Sequence, residues 1–581
     1  MTVFQTLIKL GKPLQKKFSL SLSSPACKCS FVRRRSGKLL CGDVAVFWYF
    51  RLAQRRAEAR RSLVVQVNSE GSFSELYGYC SKYASVNGVH HYKNSAGDVS
   101  CTTIIQYRNY VDIMALQSPF LWFRAATEKK EKFKVPDGLS LATKNGAMEV
   151  NEDVLFEELI HCKTVSEQIQ LLYDKTALND LGVRLRYMVA RQVRIHFFIA
   201  FVRPFGSSVN GFGKLGCDLD LVLTNVLTKD MARIKIPSDP NKRLVFQEKK
   251  CDGGRSPWQR HMELVAEALE LRVAGAARVT RILHARVPIV KYCHQLVGLD
   301  CDLCYNNMSG VYMSELLWLL GAADARARAL GLLVRRWARA AQLTTPHPGR
   351  WITNFPLTLM VLFFLQQDTK DGVVLPSVRT LVKNAGEYDI RIAEENLNCT
   401  FVRDLNNLPT ECYGQNTASL ESLLLQFFEF YSQFDFQNKA ISIYEGSSVR
   451  KPNTLPLYIV NPLEQALNVS RNVSYEECER LKVEVRNAAW QLEGMDNQRA
   501  DDWGIISLIE RKTTRGLKKL LRVGNSHRLV SVKDLFNEED KTEANKSART
   551  SIIPCNKERN ANTPRKQRRS EICLKLEGIA K

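Results

Sequence analysis

Alternating apolar and polar positions indicate several strands along the chain, and the clearest alternation lies between residues 205 and 223. There a turn of small residues leads into apolar positions spaced two apart, which are Leu219, Leu221 and Leu223. Because successive side chains of a strand point to opposite faces, these leucines enter a core while Asp218 and Asp220 project together from the other face. The pattern predicts a strand with one buried face and one acidic face.

Nearer the N-terminus, the pattern predicts a strand at 62–67, a helix at 72–83 and strands at 89–93 and 99–107. This β-α-β-β order suggests a small RNA-recognition-like module over residues 60–126. Its strands lack the glycine-aromatic sequence with which RNA-recognition motifs stack bases. Packing or formation of a homodimer is therefore favoured for this module, and direct RNA contact is the alternative.

Apolar positions three and four residues apart predict helices in most of the remaining chain. The helical stretches are 149–202, including an amphipathic helix at 183–193 that would support the sheet, and 258–273, 314–343 and 351–366. Strands are predicted at 285–292 and within 297–307. The aromatic run 423–436 is expected to pack in a core, and the polar stretches 127–139 and 226–256 are expected to be linkers.

The composition indicates a polyanionic partner and a cellular compartment. The 581 residues are 45% hydrophobic, enough for two to four domains, and carry a net charge of +23, which favours nucleic acid as partner. Residues 1–42 are basic and lack Asp and Glu, as in a mitochondrial transit peptide, and residues 512–581 read as a basic, disordered tail. No apolar run approaches the ~20 residues of a membrane span. The 16 cysteines lack regular spacing, which favours reduced thiols in the mitochondrial matrix.

The acidic strand face predicts a metal site for phosphoryl transfer. Paired carboxylates suit Mg²⁺, and Gly206 allows a close turn whose amides near Ser207 and Ser208 can meet phosphate oxygens. No dinucleotide fingerprint or Walker loop is present. Asp302, on the predicted strand within 297–307, is the expected third carboxylate, whereas its neighbour Asp300 is expected to be a solvated flanking residue.

Residues 204–220, 285–307, 351–366 and 424–468 together resemble motifs of the template-independent nucleotidyltransferases related to DNA polymerase β. The resemblance is greatest to the poly(A) polymerases of animal mitochondria and covers about residues 60–495. It implies an α+β fold, with a polymerase β-like palm of mixed sheet and helices over 148–310. A helical nucleotide-recognition and poly(A)-polymerase-associated lobe would follow over 311–495.

The resemblance also implies transfer of AMP from ATP to RNA 3′ ends, with release of pyrophosphate. Asp218, Asp220 and Asp302 would bind Mg²⁺, for which Mn²⁺ can substitute. The residues that would contact ATP are Phe205, Gly206 and Ser207 at the triphosphate, Ser314 at the sugar or base, Phe355 stacked on adenine, and Arg335 and Arg339 at phosphates. The two arginines stand where many relatives have lysines, which exchanges a point charge for a planar fork.

The choice of base depends on Leu467. Relatives that add uridylate often carry a His there, which can hydrogen-bond uracil, and an apolar residue removes that contact and leaves room for a purine. Adenylyl transfer is therefore favoured over the alternative of a terminal uridylyltransferase. A catalytically silent RNA-binding scaffold is the second alternative, disfavoured because all three carboxylates are present.

Overall fold

The computed structural model describes residues 44–67, 73–82, 84–93, 101–107, 120–122, 141–142, 150–196, 200–225, 257–285, 287–347, 349–368, 371–409, 413–493 and 503–510. The predicted transit peptide, both predicted linkers and the predicted basic tail lie outside these residues. Within the described ranges, every helix is too short or too polar to cross a membrane.

The N-terminal unit is a five-stranded sheet with two helices. Its elements are α1 (Val44–Arg60), β1 (Ser62–Val67), α2 (Phe73–Ser81), β2 (Val86–Lys93), β3 (Cys101–Tyr107), β4 (Phe120–Trp122) and β5 (Leu141–Ala142), with strand order β4-β1-β3-β2-β5. The predicted β-α-β-β order is confirmed. Helix α1 was not predicted, because its apolar residues are concentrated near its start instead of recurring every third or fourth position.

The region predicted as the palm contains a five-stranded mixed sheet with the helices at 180–196 and 257–272 packed against it, whereas its first two helices, at 152–160 and 165–176, pack into the core of the C-terminal lobe. Its elements are α3 (Glu152–Ile160), α4 (Val165–Thr176), α5 (Asp180–His196), β6 (Ala200–Phe205), β7 (Leu219–Asn225), α6 (Pro257–Arg272), β8 (Ala276–Ile282), β9 (Ile289–His294) and β10 (Leu299–Tyr305). The strand order is β6-β7-β10-β9-β8, and only the β7–β10 pair of these neighbours is parallel.

Helices α5 and α6 cover one face of this sheet. Met188 of α5 and Met262 of α6 are fully buried in the same core as Leu219, Leu221 and Leu223, as the alternating pattern predicts. The predicted role of the 183–193 helix in supporting the sheet is confirmed. Asp220 and Asp302 lie on the opposite face, which continues beyond them with the buried side chains of Val222 and Cys304.

The two edge strands were not predicted correctly. Residues 200–202, predicted as helical, belong to β6, and β8 was missed. The predicted strand 285–292 begins later, at Ile289, and ends at His294. None of the seven residues of β8 is fully buried, and a bulge interrupts its pairing between Ala277 and Thr280, so its sequence carries little alternation.

The C-terminal lobe is mainly helical. Its elements are α7 (Met308–Ala323), α8 (Ala325–Ala340), α9 (Asn354–Leu365), α10 (Val378–Lys383), α11 (Leu420–Ser432), β11 (Lys439–Ser442), β12 (Ser447–Arg450), α12 (Tyr475–Glu493) and α13 (Ile506–Ile509). The predicted stretch 314–343 is two helices, because the Asp324 carboxylate accepts a hydrogen bond from Arg326 N at 2.9 Å and starts α8 afresh.

The core of the lobe is aromatic. Helix α9 is buried from Pro356 to Leu365 on all sides, as expected for a helix that is apolar all round. Phe427, Phe428 and Tyr431 of α11 pack near it, and the Tyr431 hydroxyl donates a hydrogen bond to Met360 O at 2.7 Å. The prediction that the aromatic run 423–436 packs in a core is confirmed.

An extended segment ties the lobe to the start of α7. Arg391 forms a buried ion pair with Glu315 at 2.8 Å, the two side chains being 1% and 7% exposed. The Arg391 guanidinium also donates to Asp389 O and Phe401 O, both at 2.7 Å. Glu394 then accepts hydrogen bonds from Met308 N at 2.8 Å and from the Ser309 hydroxyl at 2.6 Å. A carboxylate at this end favours the helix because its first amides lack internal partners.

Candidate active site

The turn between β6 and β7 requires a glycine at its first position. Gly206 has φ +65°, in the left-handed region, and opens a single 3₁₀ turn over Gly206–Ser208. A Cβ atom at Gly206 would lie 2.2 Å from Asp220 Oδ2. The turn therefore reaches the acidic strand so closely that a side chain at this position would displace the carboxylate.

Buried hydrogen bonds hold the turn against the segment that precedes β7. The Ser208 hydroxyl donates to Asp218 O at 3.2 Å and accepts from Arg186 Nε, also at 3.2 Å. Arg186, from α5, further donates to Gly182 O at 3.1 Å and to Cys217 O. Sequence reasoning missed Arg186, because nothing local distinguishes a structural arginine on an amphipathic helix from a solvated one.

The three predicted carboxylates meet at the β7–β10 pair. Asp302 of β10 lies directly beside Asp220 of β7 in the parallel register, and Asp218 is the residue before β7. Burial, with repulsion from Asp302 and Asp218, raises the pKa of Asp220 to about 7. Burial and the Asp302 charge also raise the pKa of Asp218. The protein thus concentrates negative charge at one point of the sheet.

Lys291 supplies the only ion pair formed by these three carboxylates within the described residues. It is the antiparallel neighbour of Asp302 on β9, and its Nζ lies 2.5 Å from Asp302 Oδ2. Lys291 could not be predicted from the sequence, because its alignment with Asp302 depends on the β9–β10 register. Asp300, two residues earlier, is exposed and lies 3.4 Å from Arg278 Nη2.

The donor chemistry of the site fits a hard divalent cation. No three His, Cys, Asp or Glu side chains among the described residues form a preassembled metal cage. Mg²⁺ does not need such a cage, since it keeps several waters and is usually bound by one or two carboxylates together with substrate phosphates. Desolvation and mutual repulsion raise the pKa of Asp218 and Asp220, and a divalent cation beside them would favour their charged forms.

Helix α7 is bound directly to the turn. The Ser314 hydroxyl, on a residue that is 2% exposed, accepts a hydrogen bond from Gly206 N at 2.7 Å and donates to Gly310 O at 2.7 Å. Phe205, half-buried, lies opposite Asp220 in the β6–β7 register, and a Cβ at Gly310 would lie 3.0 Å from its ring. Ser314 therefore positions the turn, a contact that the sequence does not reveal.

Positively charged side chains lie at residues 209–218, the loop that joins the turn to β7. Arg335 donates a hydrogen bond to Phe212 O, and burial lowers the pKa of its guanidinium to about 10. Partial desolvation of its ammonium group and repulsion from Arg339, Arg335 and Arg336 lower the pKa of Lys214. Arg339 and Lys214 are exposed. Both predicted arginines thus lie at the loop, and Lys214 joins them as a residue not proposed from the sequence.

Two family models match the chain. The mitochondrial-like poly(A) RNA polymerase central palm domain matches residues 165–321, and the Cid1 family poly(A) polymerase model matches residues 419–462. The mitochondrial poly(A) RNA polymerase of Drosophila melanogaster is 42% identical over 520 residues, 84% of this chain and 84% of that protein. The Homo sapiens protein of the same name is 34% identical over 505 residues, covering 83% and 84%. The chain belongs to the mitochondrial poly(A) RNA polymerase family.

Solved structures agree with this placement. The crystal structure of mtPAP in apo form matches with a TM-score of 0.70 at 30% identity, covering 80% of this chain and 99% of that one. The mtPAP complex with ATPgammaS matches with a TM-score of 0.68 at 29% identity, over 80% and 99%. The resemblance predicted from the motifs is confirmed, as is the α+β fold with a nucleotidyltransferase palm.

In this member of the mitochondrial poly(A) RNA polymerase family, the predicted base-contacting residues lie in the lobe. Phe355 is half-buried at the start of α9 and packs on the lobe core. Leu467 is half-buried in a loop whose neighbour, Asn468, accepts hydrogen bonds from Ile459 N at 3.0 Å and Ser470 N at 2.9 Å and donates to Leu457 O at 2.9 Å. Asn468 fixes the loop that carries Leu467.

Proposed function

We propose that this protein adds AMP from ATP to the 3′ hydroxyl of RNA, releasing pyrophosphate, in mitochondria. The observation that carries the proposal is the pairing of Asp220 with Asp302 beside the Gly206 turn, in a chain of this family. The family name indicates that the polymer is poly(A) and that the compartment is the mitochondrion. The carboxylates and the turn provide the proposed site for nucleotidyl transfer.

The carboxylates of Asp218, Asp220 and Asp302 would bind Mg²⁺, with Mn²⁺ able to substitute. When bound, the metal would supply Lewis-acid stabilisation of the charge that develops on the transferred phosphate. The chain itself positions these carboxylates by strand register, and Lys291 offsets the charge of Asp302.

The proposed ATP contacts are Phe205, Gly206, Ser207, Ser314, Arg335, Arg339 and Phe355. The Gly206 amide already donates to Ser314, so Gly206 contributes space for the ligand, and the amides of Ser207 and Ser208 are the proposed phosphate donors. Arg339 and Lys214 are proposed to meet the outer phosphates, because both are exposed beside the loop. Ser314 is proposed to act mainly through the turn it holds.

Preference for ATP is proposed to arise during transfer and not from occupancy alone. Structures of the similar mtPAP include complexes with UTP, CTP and GTP as well as with ATPgammaS. A pocket that admits four nucleotides selects by how well each one is aligned for reaction. We assign that alignment to Phe355 and to the apolar Leu467, and the UTP complex keeps terminal uridylyl transfer as the second candidate.

A four-nucleotide extension assay tests the proposal. Purified full-length protein is incubated with a short RNA, Mg²⁺ and one NTP at a time, and kcat/KM is measured for each NTP. We expect ATP to exceed UTP by at least tenfold. Equal extension with UTP would overturn the preference, and no extension with any NTP would overturn the reaction.

The N-terminal module is proposed to serve in packing or in a homodimer. Val64 of β1 and Ala59 of α1 belong to the core that contains the palm strands, which supports the packing role. Light scattering of the full-length protein during size-exclusion chromatography measures the mass directly. A monomer at all concentrations would exclude the homodimer.

A further inference from the structure

An arginine-rich surface lies along β6, an edge strand of the palm sheet. We define the β6-edge patch as Arg56 and Arg60 of α1, Arg194 of α5, and Phe201 and Arg203 of β6. Arg56, Arg60 and Arg194 are exposed, and Phe201 is 39% exposed although it is a large apolar residue. The patch plays no part in the active site described above.

Packing of α1 on α5 brings the members of the patch together. Arg191 of α5 donates a hydrogen bond to Ala59 O, near the end of α1, at 2.8 Å. The Arg194 guanidinium lies over the Phe201 ring, 5.5 Å from its centroid. Arg56 remains exposed at the surface, and partial desolvation with repulsion from Arg203, Arg194 and Arg60 lowers the pKa of its guanidinium, so these three arginines all lie within electrostatic range of Arg56.

Within the part of the chain that the structure describes, no acid neutralises the positive charge of the patch. Helices α1 and α5 contain eight arginines and only two acidic residues, Glu58 and Asp180. Both acids are already paired, Glu58 with Arg55 at 2.8 Å and Asp180 with Arg184 at 2.7 Å. Among the salt bridges of the described residues, none joins a patch arginine to a carboxylate. Such a surface favours a polyanion.

The patch leads to the active site along one strand. Phe201, Arg203 and Phe205 occupy alternate positions of β6 and therefore share a face, and Phe205 lies opposite Asp220. At about 3.3 Å per residue, roughly 13 Å of strand separates Phe201 from Phe205. A strand of RNA whose 3′ end lies at Asp220 can reach the patch within a few nucleotides.

We propose that the β6-edge patch binds the single-stranded RNA just upstream of the 3′ end being extended. The arginines would contact the phosphates, and Phe201 would stack on a base, which is the combination found in single-strand binding surfaces. The identity of the polymer rests on the proposed function. The location of the binding surface rests on the residues described here.

Salt dependence tests the arginine contacts. The full-length protein is titrated into a labelled 20-nucleotide RNA without ATP, at several KCl concentrations, and log K is plotted against log salt. For the double variant Arg56→Gln/Arg194→Gln we expect at least about tenfold weaker binding and a slope smaller by about 1.4, since each single-strand phosphate contact contributes about 0.7. Arg272→Gln, an exposed arginine at the end of α6, is the matched control and should leave the slope unchanged.

Phe201→Ala separates stacking from charge. It should weaken RNA binding by about fivefold or more and leave the salt slope unchanged, because stacking releases no counterions. Unchanged affinity and slope in both the arginine and the Phe201 variants would overturn the proposal. If these variants lost binding to phosphatidylserine vesicles but kept their affinity for RNA, the proposal would also be overturned. The patch would then be assigned to binding of a membrane surface.

Primer length distinguishes failure of this proposal from failure of the proposed function. With ATP and a dinucleotide primer, whose single internucleotide step is shorter than the roughly 13 Å from Phe205 to Phe201, the double variant should match the wild-type kcat and the wild-type KM for ATP within twofold. With the 20-nucleotide RNA its KM for RNA should rise about tenfold. If even the wild type extends neither primer, the proposed function fails. The titration of labelled RNA without ATP still decides whether the patch binds RNA.

Discussion

The Arg391–Glu315 pair of the lobe and the three carboxylates of the palm show two opposite ways of arranging charge in a fold. In the lobe, one cation faces one anion, and the remaining donors of Arg391 are satisfied by backbone carbonyls. In the palm, three anions share one cation, Lys291, and the pKa of Asp220 rises to about 7. The first arrangement balances its charges, and the second leaves a net negative charge, in keeping with the metal site proposed above.

This difference predicts which property each region controls. Removing one member of a complete pair leaves a buried charge without a partner and therefore destabilises the fold. Removing one of several repelling carboxylates relieves repulsion, and its cost should fall on the proposed binding of metal and substrate instead. Variants in the two regions should therefore separate activity from stability.

The largest expected effect is on catalysis, in Asp220→Ala. Extension with ATP should fall by at least about 100-fold, because losing a metal ligand removes several kcal/mol of transition-state stabilisation, and each ~1.4 kcal/mol is tenfold in rate. The melting temperature should not fall. Asp300→Ala, which removes an exposed aspartate from the same strand, is the control and should keep the rate within about twofold. Wild-type activity in Asp220→Ala would remove this carboxylate from the site.

The lobe counterpart is Glu315→Ala. It should lower the free energy of unfolding by about 3–5 kcal/mol in denaturant titration, because Arg391 is left buried and uncompensated. The kcat of the folded fraction at 20 °C should stay within about twofold. Glu445→Ala breaks the more exposed pair with Arg379 and should cost at most about 1 kcal/mol. Equal losses in both variants would contradict the distinction between buried and exposed pairs.

The variant Gly206→Ala tests whether the turn affects activity separately from stability. A positive φ should cost about 1–3 kcal/mol of stability, and the added Cβ should push Asp220 away and lower kcat by more than tenfold. Gly372→Ala is matched, since Gly372 has φ +86° with nothing within 4 Å of the added Cβ. It should lose similar stability and keep full activity. Loss of activity in both would attribute the effect to backbone strain alone.

The smallest expected effect is that the stabilisation of the fold by a divalent metal ion depends on pH. Because the pKa of Asp220 is about 7 in the folded protein against an ordinary 3.8, the folded state binds this proton more tightly. The resulting stability is complete below pH 4 and is lost as pH rises through 7. Mg²⁺ or Mn²⁺ should therefore raise the melting temperature more at pH 8 than at pH 5, by about 2–4 °C. In Asp220→Asn this pH difference should shrink.

The sequence was sufficient for the parts of the site that depend on local periodicity. Leu219, Leu221 and Leu223 alternate with the carboxylates, so both the strand and its acidic face could be predicted from spacing alone. The helical core of the lobe followed in the same way from its apolar faces. The family resemblance then supplied the reaction and the proposed ATP contacts.

The features that could not be predicted from the sequence depend on contacts between distant segments. Lys291 faces Asp302 only because of the β9–β10 register, and Arg186 reaches the Gly206–Ser208 turn from a helix more than twenty residues earlier. The strand β8 lacks alternation because it is an edge strand with no fully buried residue. Each of these features is set by tertiary pairing, which spacing along one segment does not encode.

The Ser314 hydroxyl joins a helix of the lobe to the turn of the palm, and the consequence is mechanical. Leu316 and Leu320 anchor α7 in the lobe core, while the hydrogen bond to Gly206 N fastens its first half to the turn. The turn is therefore held from two sides, to α7 through Ser314 and to the segment before β7 through Ser208. A strain applied to either attachment reaches Asp220, because Gly206 lies so close to that carboxylate that the turn has no room for a Cβ atom. Ser314 thus couples the packing of the lobe to the position of the acidic strand without touching a carboxylate.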